Sequence, residues 1–396
     1  MPDDRLLTRP VLLCAAANFL QALCFNLYLH LPGFLHGLGA DEVTIGLLSG
    51  LTAVAAIAAR PPVGRAMDAR GRRGVILVGG VLNTVVCALY VGVHSIGPAL
   101  VFVRIFHGLA EAMLFSALFV LAADYIPASR RTEGIALYGV SGILPISLGG
   151  LLGDAILARG SYPVLFATSA AFAALSLLVS LPLRDRPRPP HHDDVPSRGF
   201  AAAAAQRDLV PLWFIGTVFA TALSAVFTFV TTFVIETGIG SVGLFFSFYS
   251  GAAVVLRLCF GWLPERVGPK AVLFPALACL AAGLVALAAA TSGREVAVAG
   301  ILCGLGHGFT FPILSGLVVA RAREAERGAA LGLFTALFDV GVLIGGPAFG
   351  AVIQAAGYPA AYATAAVVVT AGAASFWFWD RRVAGRRPAR VESPSA

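Results

Sequence analysis

Charge is what this sequence has least of. Aspartate, glutamate, lysine and arginine make up 12% of the 396 residues, while hydrophobic residues make up 58%. A water-soluble domain carries about twice that charge, so an ordinary soluble enzyme is excluded. The formal net charge of +7 is no mark of a nucleic-acid partner, because it is spread over short loops. Lysine is nearly absent, Lys270 being the sole example. The six cysteines (Cys14, Cys24, Cys87, Cys259, Cys279, Cys303) fall in apolar stretches and form no CxxC pair. They read as small packing residues, which excludes a disulfide framework or a zinc finger. No HExxH, paired Asp-rich metal motif or Walker loop occurs, so metal-dependent hydrolysis and ATP-driven pumping lack their parts. No cleavable leader is expected, since the first apolar run is too long and no small-residue cleavage site closes it.

Long apolar runs are what the chain has instead. Crossing a bilayer as a helix takes about 20 residues. Twelve runs reach that length, at about 11–36, 42–62, 74–93, 97–122, 134–158, 162–182, 209–235, 241–262, 271–290, 295–320, 328–353 and 358–379. If both termini lie on one side, the loops on that side hold 23 Lys and Arg, and those on the other hold 2, Arg159 and Arg294. Three more, Arg60, Arg104 and Arg257, fall inside or at the ends of runs. Such asymmetry places both termini in the cytoplasm. The arginine bias, with heavy alanine and glycine use, points to a GC-rich bacterial genome and so to a bacterial inner membrane.

The segment 183–208 breaks the pattern with proline and charge and reads as a cytoplasmic linker, with a short surface helix near Phe200–Arg207. Its His191-His192-Asp193-Asp194 run is read as a hydrated loop, and no metal site is expected. The linker separates a bundle at 1–182 from one at 209–380, and a basic tail follows at 381–396. The two halves echo each other. Arg60, Gly64, Asp68 and Gly71 recur as Arg257, Gly261, Glu265 and Gly268, offset by 197. Tyr162-Pro163 and Ala167-Thr168 recur as Tyr358-Pro359 and Ala363-Thr364, offset by 196. The expectation is therefore an all-α polytopic membrane protein with twelve transmembrane helices in two parallel six-helix repeats. Two such bundles meeting about an axis along the membrane normal leave a cavity that rocking exposes to each side in turn.

The skeleton Gly64-xxx-Asp68-xx-Gly71-Arg72-Arg73, between the second and third runs, resembles the cytoplasmic loop of the major facilitator superfamily of secondary transporters. Here Ala69 stands where the family has a basic residue. The resemblance implies a cytoplasmic gate: Asp68 against the start of helix 11, and Arg72 against Asp124 at the end of helix 4. It also extends to helix 4, where Leu100-xxx-Arg104-xx-His107-Gly108-x-Ala110-Glu111-Ala112 is similar to the Arg-xxx-Gly core of proton-coupled members. His107 and Glu111 depart from that pattern. Gly346-Pro347-xx-Gly350 resembles the glycine-proline motif of drug–proton antiporters, although it lies in helix 11 and not helix 5. Helix 5 has only the displaced Pro145-xxx-Gly149-Gly150. By helical spacing, Gly142, Pro145, Gly149, Gly150, Gly346 and Pro347 are the expected packing and bending positions of helices 5 and 11.

Ionisable groups within a bilayer are costly, so they are the candidates for chemistry. Arg104, Glu111 and Asp339 are the candidates for proton coupling, with Glu111 as carrier or else as a static partner of Arg104. Asn18, Gln21, His107, Thr221 and His307 are the candidate solute contacts, since helices 1, 4, 7 and 10 line the cavity in the family. Hydroxyls such as that of Thr221 can instead bond their own helix. The expected function is proton-coupled efflux of a small organic solute by alternating access. The expected protein is a monomer that needs no cofactor beyond the proton gradient and binds no nucleic acid. Proton-coupled uptake is the alternative, and a membrane-embedded enzyme or receptor is the alternative from another class. Few net charges fall in the cavity, which leaves sugars, amino-acid derivatives, nucleosides and amphipathic drugs open.

Overall fold

A computed structural model describes residues 6–127, 130–186, 199–323 and 326–384, apart from the side chains of 68, 131–133, 136, 199, 200, 383 and 384. The His191–Asp194 run and the side chain of Asp68 lie outside the described set. The chain is helical throughout: α1 (Arg9–Gly37), α2 (Glu42–Arg70), α3 (Arg72–Leu89), α4 (Pro98–Tyr125), α5 (Arg131–Leu157) and α6 (Tyr162–Ser180) form the first bundle. After a six-residue helix at Gly199–Ala204, the second bundle runs through α7 (Val210–Thr237), α8 (Val242–Phe260), α9 (Pro269–Ala288), α10 (Gly293–Arg321) and α11 (Arg327–Ala384).

Eleven helices among the described residues are long and apolar enough to cross a membrane. The last, α11, has 58 residues. Unbroken it would be about 87 Å long, nearly three times a bilayer core. It is in fact two helices joined at Gly357, whose φ of 80° and ψ of 173° are non-helical. Its two arms supply the eleventh and twelfth of the expected crossings. Local chemistry sets the other ends. Pro98 and Pro269 stand in first turns, where a missing N–H costs nothing. Gly238 closes α7 in the left-handed conformation. A capping box of Ser292 and Glu295 opens α10.

One expectation needs correction. The stretch Arg60–Gly74, whose Gly64–Arg73 skeleton resembles the family's cytoplasmic loop, is not an open loop. Helix α2 continues through Pro61 and Pro62 to Arg70, and α3 starts at Arg72, so Gly71 alone makes the turn, at φ 82°. A hairpin this tight is closed from outside by Asp185, whose Oδ1 accepts the backbone N–H groups of Arg72 (2.7 Å) and Arg73 (3.0 Å). A carboxylate there caps the positive end of α3.

The bundles meet at the end of the molecule opposite the termini. There a Cβ on Gly46 of α2 would stand 2.4 Å from the backbone carbonyl of Gly346 in α11, and one on Gly150 of α5 would stand 3.2 Å from the Cα of Gly243 in α8. These contacts are repeats of one another, since Gly243 is Gly46 plus 197 and Gly346 is Gly150 plus 196. Polar groups reinforce the seam. Asp154 Oδ2 accepts the N–H of Gly243 at 2.7 Å, Ser147 bonds Ser247 at 3.1 Å, and Thr231 donates to the Leu29 carbonyl at 2.5 Å. One apolar core runs across both bundles at this end, including Leu29, Phe34, Phe166, Phe229 and Phe245. Toward the termini the first bundle has its own smaller core around Ala59, Ile76, Leu118 and Tyr138. There the hydrogen bonds and ion pairs of the described residues, such as Arg72 with Asp124 and Arg321 with Asp380, stay within one bundle. The molecule is closed at one end and open at the end that bears its termini.

A side chain at Gly46 would hold the closed end apart. Ser147 and Ser247 hydrogen-bond across it at 3.1 Å, so a disulfide between Ser147→Cys and Ser247→Cys is expected to form. Adding Gly46→Val should suppress that cross-link, while Gly64→Ala, which meets nothing, should leave it unchanged; cross-linking yield on a non-reducing gel checks both.

Candidate functional site

Within the membrane-spanning part, one ion pair among the described residues joins the two bundles. Arg60 of α2 donates from Nη2 at 2.6 Å and from Nε at 3.0 Å to Oδ2 of Asp339 in α11. Both side chains are largely withdrawn from solvent, at 15% and 20% exposure. A charge at this depth is tolerated only with a partner. Glu111 of α4 is half-buried and lies within electrostatic reach of Asp339, Arg104 and Arg60. Glu111 therefore feels two cations and one other carboxylate. With both acids ionised the group is neutral, and adding one proton leaves it with a surplus positive charge.

Arg104 is held elsewhere. It donates to the Leu48 carbonyl at 2.8 Å, the Ser49 carbonyl at 3.0 Å, Thr52 Oγ1 at 3.3 Å and Tyr90 at 3.4 Å. One turn further, Gly108 lets α4 press on α2, since a Cβ there would be 2.2 Å from the Thr52 carbonyl oxygen. Arg104 and Gly108 together staple α4 to α2. Among the described residues Glu111 makes no ion pair with Arg104, so the static pairing that stood as the alternative to the carrier role is not seen.

The face assigned to α4 also divides. His107 is fully buried in the first bundle, its Nδ1 3.3 Å from the Tyr90 hydroxyl and its ring 4.5 Å from that of Tyr28. It does not line the space between bundles. Arg104, His107 and Glu111 lie within about 60° of one helix face but are spread over about 10 Å along it, so that face meets α2, the bundle core and the interface at different depths. Gln21 likewise turns inward and accepts from Asn83 at 3.1 Å. Asn18 donates to Ser141 at 2.8 Å, tying α1 to α5 beside Gly142. Thr221 donates to the Thr217 carbonyl of its own helix at 2.9 Å. Its neighbours form a seam with α11, where Gly341 meets Thr217 and Gly345 meets Ser224. His307 is half-buried, with Nδ1 hydrogen-bonded to Tyr249 and Phe219 5.6 Å away. Gly149 admits Asn26, and Gly150 and Gly346 stand in the cross-bundle contacts described above, the latter with Pro347 against Gly46. Pro145 lies within α5.

At the open end, Arg72 Nε lies 3.2 Å from Asp124 Oδ2. Arg73 donates to the Leu183 carbonyl at 2.8 Å and the Leu181 carbonyl at 3.2 Å, at the end of α6. These bonds stay within the first bundle. In the second bundle Asp380 pairs with Lys270 and, at 2.5 Å, with Arg321. Sequence reasoning passed over Arg60, Asp154, Gly46 and Gly243. A signal existed for three of them, because Arg60 opens the repeated motif and the glycines are related by its offset.

The described helices form two repeated bundles, closed on one side, with a charged group between them, which is the architecture of a membrane carrier. The Major Facilitator Superfamily profile matches residues 11–241 and 212–395, and the chain belongs to that family. It is a secondary transporter and not an enzyme. It is 23% identical over 361 residues to the staphylopine export protein of Staphylococcus aureus, covering 87% of this chain and 88% of that one. It is 24% identical over 382 residues to the uncharacterized transporter YhhS of Escherichia coli, covering 92% and 91%. Among solved structures, a bacterial homologue of the lysosomal transporter Spinster aligns with a TM-score of 0.76 at 15% identity, covering 96% of this chain and 98% of that one. The nucleoside transporter NupG aligns at 0.72 and 15%, covering 94% and 99%.

Removing one partner of the Arg60–Asp339 pair strands the other. Arg60→Ala and Asp339→Ala should each destabilise the purified protein by up to about 3 kcal/mol. The double variant should cost less than the sum of the two. Unfolding in detergent for all four forms of this cycle gives the coupling energy.

Proposed function

We propose that this protein is a proton-coupled exporter of a small organic solute, working as a monomer in a bacterial inner membrane with both termini in the cytoplasm. The arginine-rich loops on the termini side support that orientation. The structure then corresponds to a state closed to the outside and open to the cytoplasm, the state in which an exporter loads its solute. Likeness to the staphylopine export protein supports the outward direction.

The observation that carries the coupling is the Arg60–Asp339 pair, the deep ionic link between the bundles, with Glu111 beside it. When the bundles rock, α2 and α11 shift relative to each other and the pair must lengthen or re-form. Glu111, on the same bundle as Arg60, is the acid positioned to take Arg60 when Asp339 withdraws. A carboxylate whose cation partner is shared in one state and its own in the other gains and loses a proton with the cycle. Solute binds in the same cytoplasm-facing space, so proton and solute compete for one conformational equilibrium.

Reconstituted protein under an imposed pH gradient tests this. Wild-type vesicles should move solute against the direction of proton flow, and solute added to purified protein should release protons. Glu111→Gln should abolish the proton signal and gradient-driven transport but keep solute exchange at zero gradient. Solute moving with the protons would instead establish uptake, and transport unaffected by pH in both proteins would remove proton coupling.

A further inference from the structure

At the closed end, three side chains from three helix ends converge. His36 lies in the last turn of the helical segment Leu31–Gly37, Glu42 in the first turn of α2, and Glu236 near the end of α7. One imidazole nitrogen and one oxygen from each carboxylate lie within 4.8 Å of one another. His36 and Glu42 belong to the first bundle and Glu236 to the second. We propose that they form a zinc-binding site that bridges the bundles and locks the carrier in the closed-end state seen here.

The donor set fits zinc. Zinc takes His nitrogen and carboxylate oxygen at about 2.0–2.2 Å in tetrahedral geometry, which sets ligand atoms about 3.4 Å apart. Rotation of the exposed Glu236 side chain supplies the remaining approach. Three protein ligands leave a fourth position for water, as in other open zinc sites. Calcium needs six or more oxygens, and magnesium keeps an octahedral water shell, so a site with one imidazole and two carboxylates favours a transition metal. Zinc is the redox-inert choice among these.

The surroundings fit a cation as well. Among the described residues no lysine or arginine pairs with Glu42 or Glu236, so closing this end brings two carboxylates together without a compensating charge. Tyr358 donates to Glu236 Oε1 at 3.0 Å. Outer hydrogen bonds of this kind orient metal-binding carboxylates. The backbone at this point is also committed, because a Cβ on Gly350 would be 2.4 Å from the Glu42 carbonyl oxygen. The three ligands are held together only while α1 and α2 meet α7. Opening this end separates Glu236 from the other two and destroys the site. A ligand that binds one state alone shifts the population toward it, so zinc on this face acts as an inhibitor of the cycle.

The locking step rests on the alternating-access reading above, whereas binding does not, and the experiment separates them. Thermal unfolding of purified full-length protein is measured with and without zinc chloride. Zinc should raise the Tm of wild type. The shift should vanish in His36→Gln, Glu42→Gln and Glu236→Gln, survive in Tyr358→Phe, and survive when His191 and His192 are both changed to glutamine. An unchanged shift in Glu236→Gln, a shift lost only with the linker histidines, or no shift in wild type overturns the site. For the lock, spin labels on helix ends α1 and α7 should report a single short distance with zinc and a broader distribution without it. Zinc that binds yet leaves that distribution and solute exchange in vesicles unaltered overturns the lock while leaving the site standing.

Discussion

Backbone meeting backbone at glycine is the constraint on which this architecture depends. In lipid there is no hydrophobic drive to bring two helices together, because the acyl chains are as apolar as the side chains they would replace. Attraction has to come from close packing and from polar groups that only a close approach can join. Gly46 against Gly346 and Gly243 against Gly150 provide that approach twice, once on each side of the pseudo-twofold axis. Weak Cα–H contacts to carbonyls at such crossings are worth about 0.5–1 kcal/mol each, and neutral hydrogen bonds about 1 kcal/mol. The closed end is thus held by a few kcal/mol in total. That is the size of change that a bound solute or a proton can reverse.

The two seams are alike in packing and unlike in charge. On the seam of α2 and α11, Arg60 reaches Asp339. On the repeat-related seam of α8 and α5, Arg257 occupies the place of Arg60, but Ile143 stands where an acid would answer Asp339. Arg257 donates instead to the Gly308 carbonyl at 3.0 Å, within its own bundle. The acid of the second seam is Asp154, displaced to the closed end, where it caps the first turn of α8. A symmetric hinge therefore carries an asymmetric set of charges. One seam carries an ion pair within the membrane-spanning part, and the other carries its acid at the closed end.

Much of this was legible in the residues. Apolar run length and arginine placement predicted the crossings, and the near-constant offset predicted a duplicated bundle. The glycines of helices 5 and 11 were recognisable as contact positions because small residues at helical spacing have few other uses in a membrane. What each of them touches was not legible, since Gly46 and Gly243 sit in runs where glycine is common. The partners of Arg104 were hidden for a different reason. It bonds backbone carbonyls of α2, and every residue offers a carbonyl, so no partner type marks the contact in sequence. His107 and Gln21 were read as solute contacts because helices 1 and 4 line the cavity in the family, but each turns into the first bundle, His107 to Tyr90 and Gln21 to Asn83, a choice set by rotation of α1 and α4. The Arg60–Gly74 stretch read as a loop from its arginines and its place between two apolar runs. In a bundle, neighbouring helices re-satisfy the groups that proline frees, and the helix runs on.

Rocking requires that each bundle move as a unit, and the open end shows how that is arranged. In the first bundle Arg72 of α3 meets Asp124 of α4, while Arg73 holds the carbonyls that end α6. Adding the repeat offset of 197 to Arg73 and Asp124 gives Lys270 of α9 and Arg321 of α10, and these two converge on Asp380 in the second arm of α11. The same positions knit the same three helices in each bundle, but the acid has moved from the fourth helix to the last. A permuted charge set with a preserved location argues that what the fold requires there is a cross-brace, and that several ionic wirings satisfy it. The braces join helices within a bundle and leave the space between bundles open. Any motion of one bundle against the other then falls on the contacts between them, the glycine seams and Arg60–Asp339 among these.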